Sequence, residues 1–268
     1  MTNRILSIAI NTYREAIRQK VLYVLVVFTL FLILASAFLG QLTLGADAKM
    51  IKDMGLAAMM TLGAFMSVFL GIGLIFKEIE RKTIYTILSK PVSRAEFVVG
   101  KFVGLLMVVF IELILMFVFL CLLLVLTTGQ IDFNLTKAVV LIFMELSVLI
   151  AITLVFSSYS SSLMSTIFCF SFLLLGHLTD DFADIMLPRA AQMIASGQAT
   201  DVFVGRTIDM FVRGLEIISL DHFAINTKIV HGVPIGWDYV FRGIVYGFCL
   251  QGIFLLIAIK LFSKKDLQ

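Results

Sequence analysis

"FVGLLMVVFIELILMFVFLCLLLVL", residues 102–126, runs for twenty-five positions with a single charge, Glu112. A helix rises 1.5 Å per residue, so about 20 apolar residues cross the roughly 30 Å hydrocarbon core of a bilayer. This stretch is long enough to span on its own. Five more runs of the same kind cover residues 21–40, 55–76, 138–156, 163–178 and 241–262. A bilayer offers no partner to a bare backbone N–H or C=O, so each run must close its hydrogen bonds internally as an α-helix. The runs are too long and too evenly apolar for barrel strands. The expected fold is an all-α polytopic integral membrane protein with six transmembrane helices. Its composition agrees: 60% of the 268 residues are hydrophobic, 15% are charged and only three are proline, with a mean hydropathy of +1.06. Ordinary soluble domains lie far from these values.

Lys and Arg in the short connecting segments set the orientation. Arg4, Arg14, Arg18 and Lys20 precede the first span; Lys77, Arg81, Lys82, Lys90, Arg94 and Lys101 follow the second; Lys260, Lys264 and Lys265 end the chain. Six spans put these three segments on one side, and the other short connections carry only Lys49, Lys52 and Lys137. The basic side is therefore expected to be cytoplasmic, with both termini there. The segment 179–240 lies outside; it carries basic residues too, but long segments translocate largely regardless of charge. The first apolar run is too long for the core of a cleavable signal and no small-residue cleavage site follows it. Residues 1–20 place Ile5, Ile8, Ala9, Tyr13, Ala16 and Ile17 at helical spacing opposite Arg4, Asn11, Arg14, Glu15 and Arg18. That pattern predicts an interfacial amphipathic helix, with a charged flank that only fixes topology as the alternative.

The least membrane-like short stretch is "KEIERKTIYTILSKPVSRAEFVVGK", residues 77–101, with nine charges, six of them basic. It reads as a helix, a stop at Lys90-Pro91, and a second helix opened by Ser93 and Glu96 at capping-box spacing, which continues through Gly100 and Lys101 into the third span. A charge-rich cytoplasmic helix held between two spans is suited to pass motion from a soluble partner into the bundle; a solvated loop obeying the positive-inside rule is the alternative. This stretch resembles the region after the second span in membrane subunits of type-2 ABC exporters: an acidic-basic cluster, a Thr, a Leu-Ser-x-Pro-Val-Ser-Arg run and a Gly-Lys. The N-terminal "NTYREAIRQKVLY" and the closing "VPIGWDYVFRGIVYGFCLQGIFLLIAIKLFSKKDL" are similar to the same family, so the resemblance covers nearly the whole chain. Lys82 departs from it, since many relatives carry Gly before the Thr.

The resemblance implies one permease domain over residues 1–268, in the cytoplasmic (inner) membrane of a prokaryote. Such a subunit pairs with a second permease chain, as a homodimer or heterodimer, and rests on two separate cytoplasmic ABC ATPase subunits. It implies that Glu78, Glu80, Arg81 and Lys82 meet the ATPase, while the stretch from Pro91 through Arg94 to Lys101 sets the angle at which motion enters the third span. No cofactor is expected in this chain. Gly100-Lys101 has Ala95 where a phosphate-binding loop needs Gly and lacks a following Ser or Thr, so ATP and Mg²⁺ are expected on the partner ATPase. The chain is then not itself an enzyme. Readings from other classes stay open: a mechanical coupler that acts on an outer partner through residues 179–240, and an ion-coupled carrier.

The carrier reading rests on Glu112 and Glu145, the two carboxylates inside spans. Glu112 lies about 16 Å from the cytoplasmic side and Glu145 about 12 Å from the outer side, hence at similar depth. They line a polar path or share a proton, or they stabilise helix packing. "SSYSSSLMS", residues 157–165, marks a tight turn whose hydroxyls suit packing or a second ATPase contact. Arg206, Asp209, Arg213 and Glu216 alternate with Ile208, Phe211, Val212, Leu215 and Ile218 as an amphipathic helix on the outer side, at the interface or as a lid. His177, Asp180 and Asp181 have a ligand-like spacing but also mark a span end, and no metal site is expected. Cys121, Cys169 and Cys249 have no paired spacing and read as packing residues. Nothing points to nucleic-acid binding.

Overall fold

The computed structural model describes residues 2–40, 47–80, 93–129, 132–196, 199–216, 219–223, 230 and 235–264. Among them the elements are all helical: α1 (Thr2–Ile17), α2 (Lys20–Gly40), α3 (Asp47–Glu80), α4 (Arg94–Thr128), α5 (Asn134–Tyr159), α6 (Ser162–Ala195), α7 (Ala199–Glu216), a short 3₁₀ turn (Asp221–Phe223) and α8 (Trp237–Lys264). Six of these, α2 to α6 and α8, are long and apolar enough to cross a membrane. Several helices outrun the spans read from hydropathy. α3 starts at Asp47 rather than 55, and α6 runs to Ala195 with Pro188 inside it. Hydropathy marks where a chain can meet lipid, whereas a helix stops only where its backbone loses partners. Asp47 in the first turn of α3 favours the early start by meeting the positive end of the helix dipole.

The chain divides into two compact units, one of residues 1–169 with 225–268 and one of residues 170–224. In the first, α3 and α5 are the most enclosed of the candidate spans. Lipid tails are as apolar as Leu, so helices associate in a bilayer largely through close packing, and small residues allow it. α3 carries three such positions. A Cβ added at Gly55 would lie 2.5 Å from Leu120 Cδ1 of α4, one at Gly63 would lie 2.7 Å from Leu146 Cδ1, and one at Gly71 would lie 2.6 Å from Thr153 Cγ2, both of α5. Gly243 of α8 receives Leu141 in the same way.

α1 is amphipathic as expected, but its inner face is covered by protein. Ala9, Thr12 and Ala16 are fully buried, and Ile8, Ala9 and Thr12 pack on Gly100 and Gly104 of α4, where added Cβ atoms would reach Ile8 and Thr12 within 2.7 Å. The Gly-x-x-x-Gly spacing gives α4 a flat face, and the small residues of α1 allow the two backbones to approach. Arg4, Asn11, Arg14 and Arg18 remain exposed on the other side.

The loop ahead of α5 is tied to the start of α3. Lys52 Nζ donates to Asp132 Oδ2 at 2.6 Å, and the Asn134 N–H donates to Asp132 Oδ1 at 3.0 Å. Burial raises the Asp132 pKa, but these hydrogen bonds and the Lys52 charge outweigh it and hold the carboxyl below its usual range. A depressed folded-state value contributes stability at neutral pH that is lost as the carboxylate takes up a proton. The thermal midpoints of the wild type and Asp132→Asn should therefore differ most near pH 7 and converge as pH falls below about 4.

In the second unit α6 packs on α7 through Gly205, whose Cβ would lie 2.8 Å from the Ala190 carbonyl oxygen. The Leu220 N–H donates to the Gly176 carbonyl at 3.1 Å. α7 has the expected polar stripe, with Arg213 Nε donating to both Asp209 oxygens at 3.0 Å. Its apolar residues divide: Val212 is buried, while Phe203, Met210 and Phe211 are exposed.

Candidate functional site

The segment singled out by its charge enters the bundle at Ser93. Ser93 Oγ accepts from the Glu96 N–H at 3.2 Å and Glu96 Oε2 accepts from the Ser93 N–H at 2.8 Å, so the capping box read from the sequence is formed. It satisfies two orphan donors reciprocally. Ser93→Ala should cost about 1 kcal/mol, and Ser93→Thr should retain most of it, as read by thermal unfolding in detergent.

Arg94 follows in the first turn of α4, where its own helix dipole disfavours a cation. Its guanidinium turns to another helix. Nη1 donates to the carbonyls of Phe262 at 3.1 Å and Ser263 at 2.7 Å, which lie in the last turn of α8. Those carbonyls are among the four that a helix C-terminus leaves unpaired. Arg94 thus caps α8 while opening α4.

Lys101 stands two turns further on and is only 1% exposed. Its Nζ lies 5.8 Å from the centre of the Phe97 ring, which stacks on Phe262 at 5.4 Å. Ile75, Leu154 and Ser158 complete its surroundings, so α3, α4, α5 and α8 meet around this ammonium. At the neighbouring end of α3, Lys77 pairs with Glu15 of α1 at 2.9 Å. These two line an open polar cleft of about 730 Å³ with Asn11, Arg14, Arg18 and Gln19.

Of the residues expected to couple to an ATPase, Arg94 bonds to α8, and Lys101 lines the small pocket that Phe262 of α8 also lines. Glu78 and Glu80 belong to the last turn of α3. Arg81, Lys82 and Pro91, with the expected helix beyond Glu80, lie outside the described residues. The sequence reading missed Phe97, Phe262 and the Glu15–Lys77 pair. An Arg at the start of a helix was the one available signal that a partner stands elsewhere.

The two intramembrane carboxylates share a level. Leu120 of α4 meets Gly55 of α3, and eight residues along each of these antiparallel helices bring Glu112 to the height of Gly63; Gly63 in turn meets Leu146, next to Glu145. Their settings differ. Glu145 is 0% exposed within the bundle, on the helix whose Ser147 accepts a hydrogen bond from Gln251 of α8. Glu112 is 8% exposed and lines a groove between α4 and the α1–α2 junction.

At the turn between α5 and α6, Ser165 Oγ donates to the Phe156 carbonyl at 3.0 Å and Ser158 Oγ to the Leu154 carbonyl at 2.7 Å, so these hydroxyls are turned onto backbone carbonyls of α5. His177 Nδ1 lies 3.0 Å from the Leu173 carbonyl oxygen in its own helix. Among the described residues no group of His, Cys, Asp and Glu assembles as a metal site.

Six helices long and apolar enough to cross a membrane define a multi-pass membrane protein. Residues 6–267 match the family model described as ABC-2 family transporter protein. The chain belongs to that family, and it is a transmembrane permease of the ABC type. Membership implies association with ABC ATPases in general. No curated protein matches the chain.

Proposed function

We propose that the chain is the permease subunit of an ATP-driven exporter, working as a dimer of six-span chains on two cytoplasmic ATPase subunits. The observation that carries this reading is the knot at the basic end. The charged segment 77–101 leaves α3 beside the Lys77–Glu15 pair and returns at Arg94, which is bonded to α8, and at Lys101, which lies over Phe97 where that ring stacks on Phe262 of α8. Motion imposed on that segment would reach α1, α3, α4 and α8 together. In this reading ATP binding closes the ATPases, the segment after Glu78 moves with them, and the interface between the two permease chains opens outward. ATP must bind the two states differently for this to occur, and the permease transmits that difference.

The test is to tag the chain, extract it from native membranes in mild detergent and assay what co-purifies. A stoichiometric ATPase should come with it and should be lost when Glu78, Glu80 and Arg81 are reversed in charge. A chain that purifies alone, folded and without any captured ATPase, would sink the exporter reading. Glu112 and Glu145 are assigned to the translocation path in the same proposal. The double variant Glu112→Gln with Glu145→Gln should keep the ATPase bound and lose transport; full transport would remove both residues from the path.

A further inference from the structure

The groove beside Glu112 has a floor and walls of opposite character. Its walls are apolar: Leu22, Val26 and Val27 from α2, and Val108, Ile111 and Leu115 from α4. Tyr13 of α1 and Tyr23 of α2 flank it, and no Lys or Arg lines it. The groove offers a space of about 190 Å³. Tyr23, Val27, Ile111 and Leu115 are each more than a third exposed, so the mouth opens sideways, toward hydrocarbon.

Glu112 is more than nine-tenths buried at the floor, and its Oε1 has no hydrogen-bond partner among the described residues. Several other polar side chains in these spans turn onto their own helix backbone, as Thr29 does to Leu25 and Ser67 to Gly63. A carboxylate has only acceptor atoms and cannot do this. Ionised at this depth, it is costly unless a cation compensates it. An approaching cation meets one carboxyl group that it can hold ionised, two aromatic rings and no competing positive charge, whereas an anion is repelled and a neutral chain gains at most a hydrogen bond.

We propose that this groove binds a hydrophobic monocation, an amine or quaternary ammonium, with its head on the Glu112 carboxylate and its hydrocarbon between α2 and α4. Binding follows from the groove itself; the further step, that such a cation is cargo, rests on the exporter reading.

The test uses the full chain in nanodiscs without ATPase or ATP, and two photoreactive probes: a dodecyltrimethylammonium and a dodecanol, each with a diazirine near its head. Adducts are mapped by mass spectrometry. The ammonium probe should label Val27 and Ile111 at least about tenfold more than the alcohol, a ratio that a partly desolvated charge pair supports. Glu112→Gln should reduce its labelling to the alcohol level, and Glu112→Asp should retain most of it. Val27→Trp, which blocks the mouth without touching the carboxyl, should also abolish labelling and decides the matter if the glutamine variant does not fold. Equal labelling by both probes would mark a lipid-chain groove and overturn the proposal. So would ammonium labelling that survives Glu112→Gln, or protection of the groove by a second copy of the chain. None of these outcomes bears on ATPase capture, and failed ATPase capture would leave the binding result standing.

Discussion

Replacing Gly104 with leucine is expected to strip α1 from the bundle. A Cβ at this position would stand 2.6 Å from Thr12 Cβ and 2.7 Å from the Ala9 carbonyl oxygen. The second contact is with backbone, which cannot rotate away as a side-chain tip can. Overpacking of a well-packed core costs about 1–3 kcal/mol, and here the cost should reach the top of that range because a whole helix must retreat. The loss should appear as a lower thermal midpoint and as rapid tryptic cleavage at Arg14 and Arg18, sites that a docked helix protects. Gly252 of α8 supplies the control, since an added Cβ there meets nothing within 4 Å. Gly252→Leu should leave both readouts unchanged. If Gly104→Leu keeps the wild-type midpoint and resists trypsin, α1 is not held by this contact.

The second large effect should follow Arg94→Ala. The change removes a charged donor from two carbonyls of α8 and leaves them short of a partner, a loss of about 2 kcal/mol for a charge-assisted pair of bonds. Amide exchange should quicken in the last turn of α8, more than a hundred and sixty residues away in sequence. Arg94→Lys should recover part of the stability, because an ammonium still meets the negative end of the helix dipole but sits on a shorter, more flexible stem than the rigid guanidinium whose Nη1 serves both oxygens. Unchanged exchange in α8 would mean that the clamp is not formed in the membrane.

The six spans could be read from hydropathy because the bilayer imposes length and polarity on each helix separately. The capping box at Ser93 and Glu96 was legible for a similar reason: both partners lie within four residues. The serine turn at residues 157–165 was legible too, from polarity between two apolar runs. What could not be read was pairwise. Nothing in α1 by itself says that Ala9 and Thr12 seek glycines of α4, and nothing around Lys101 says that its ammonium will be enclosed by four helices. The shared level of Glu112 and Glu145 followed from span geometry. That one is sealed inside the bundle while the other borders a groove depends on how α2 and α8 pack, which hydropathy does not encode. The knot at the basic end left one trace in the sequence, a cation at the wrong end of its own helix.

Three of the four glycines of α3, Gly55, Gly63 and Gly71, have a mechanical side. Each is a hole filled by a side chain of a neighbouring helix, and the holes recur every eight residues, so they wind around α3 by about 80° per step. The winding explains why the first hole faces α4 and the next two face α5. Sliding α3 by one turn would put a side chain into each hole, Met59 and Ser67 in either direction with Ile51 or Ile75 as the third, so its axial register is set at three heights. The helix contains no proline over its 34 residues and extends about 51 Å. A load applied near Lys77 therefore has no slip plane in which to dissipate, and α3 should behave as a push-rod that delivers it to Asp47 on the far side of the bilayer.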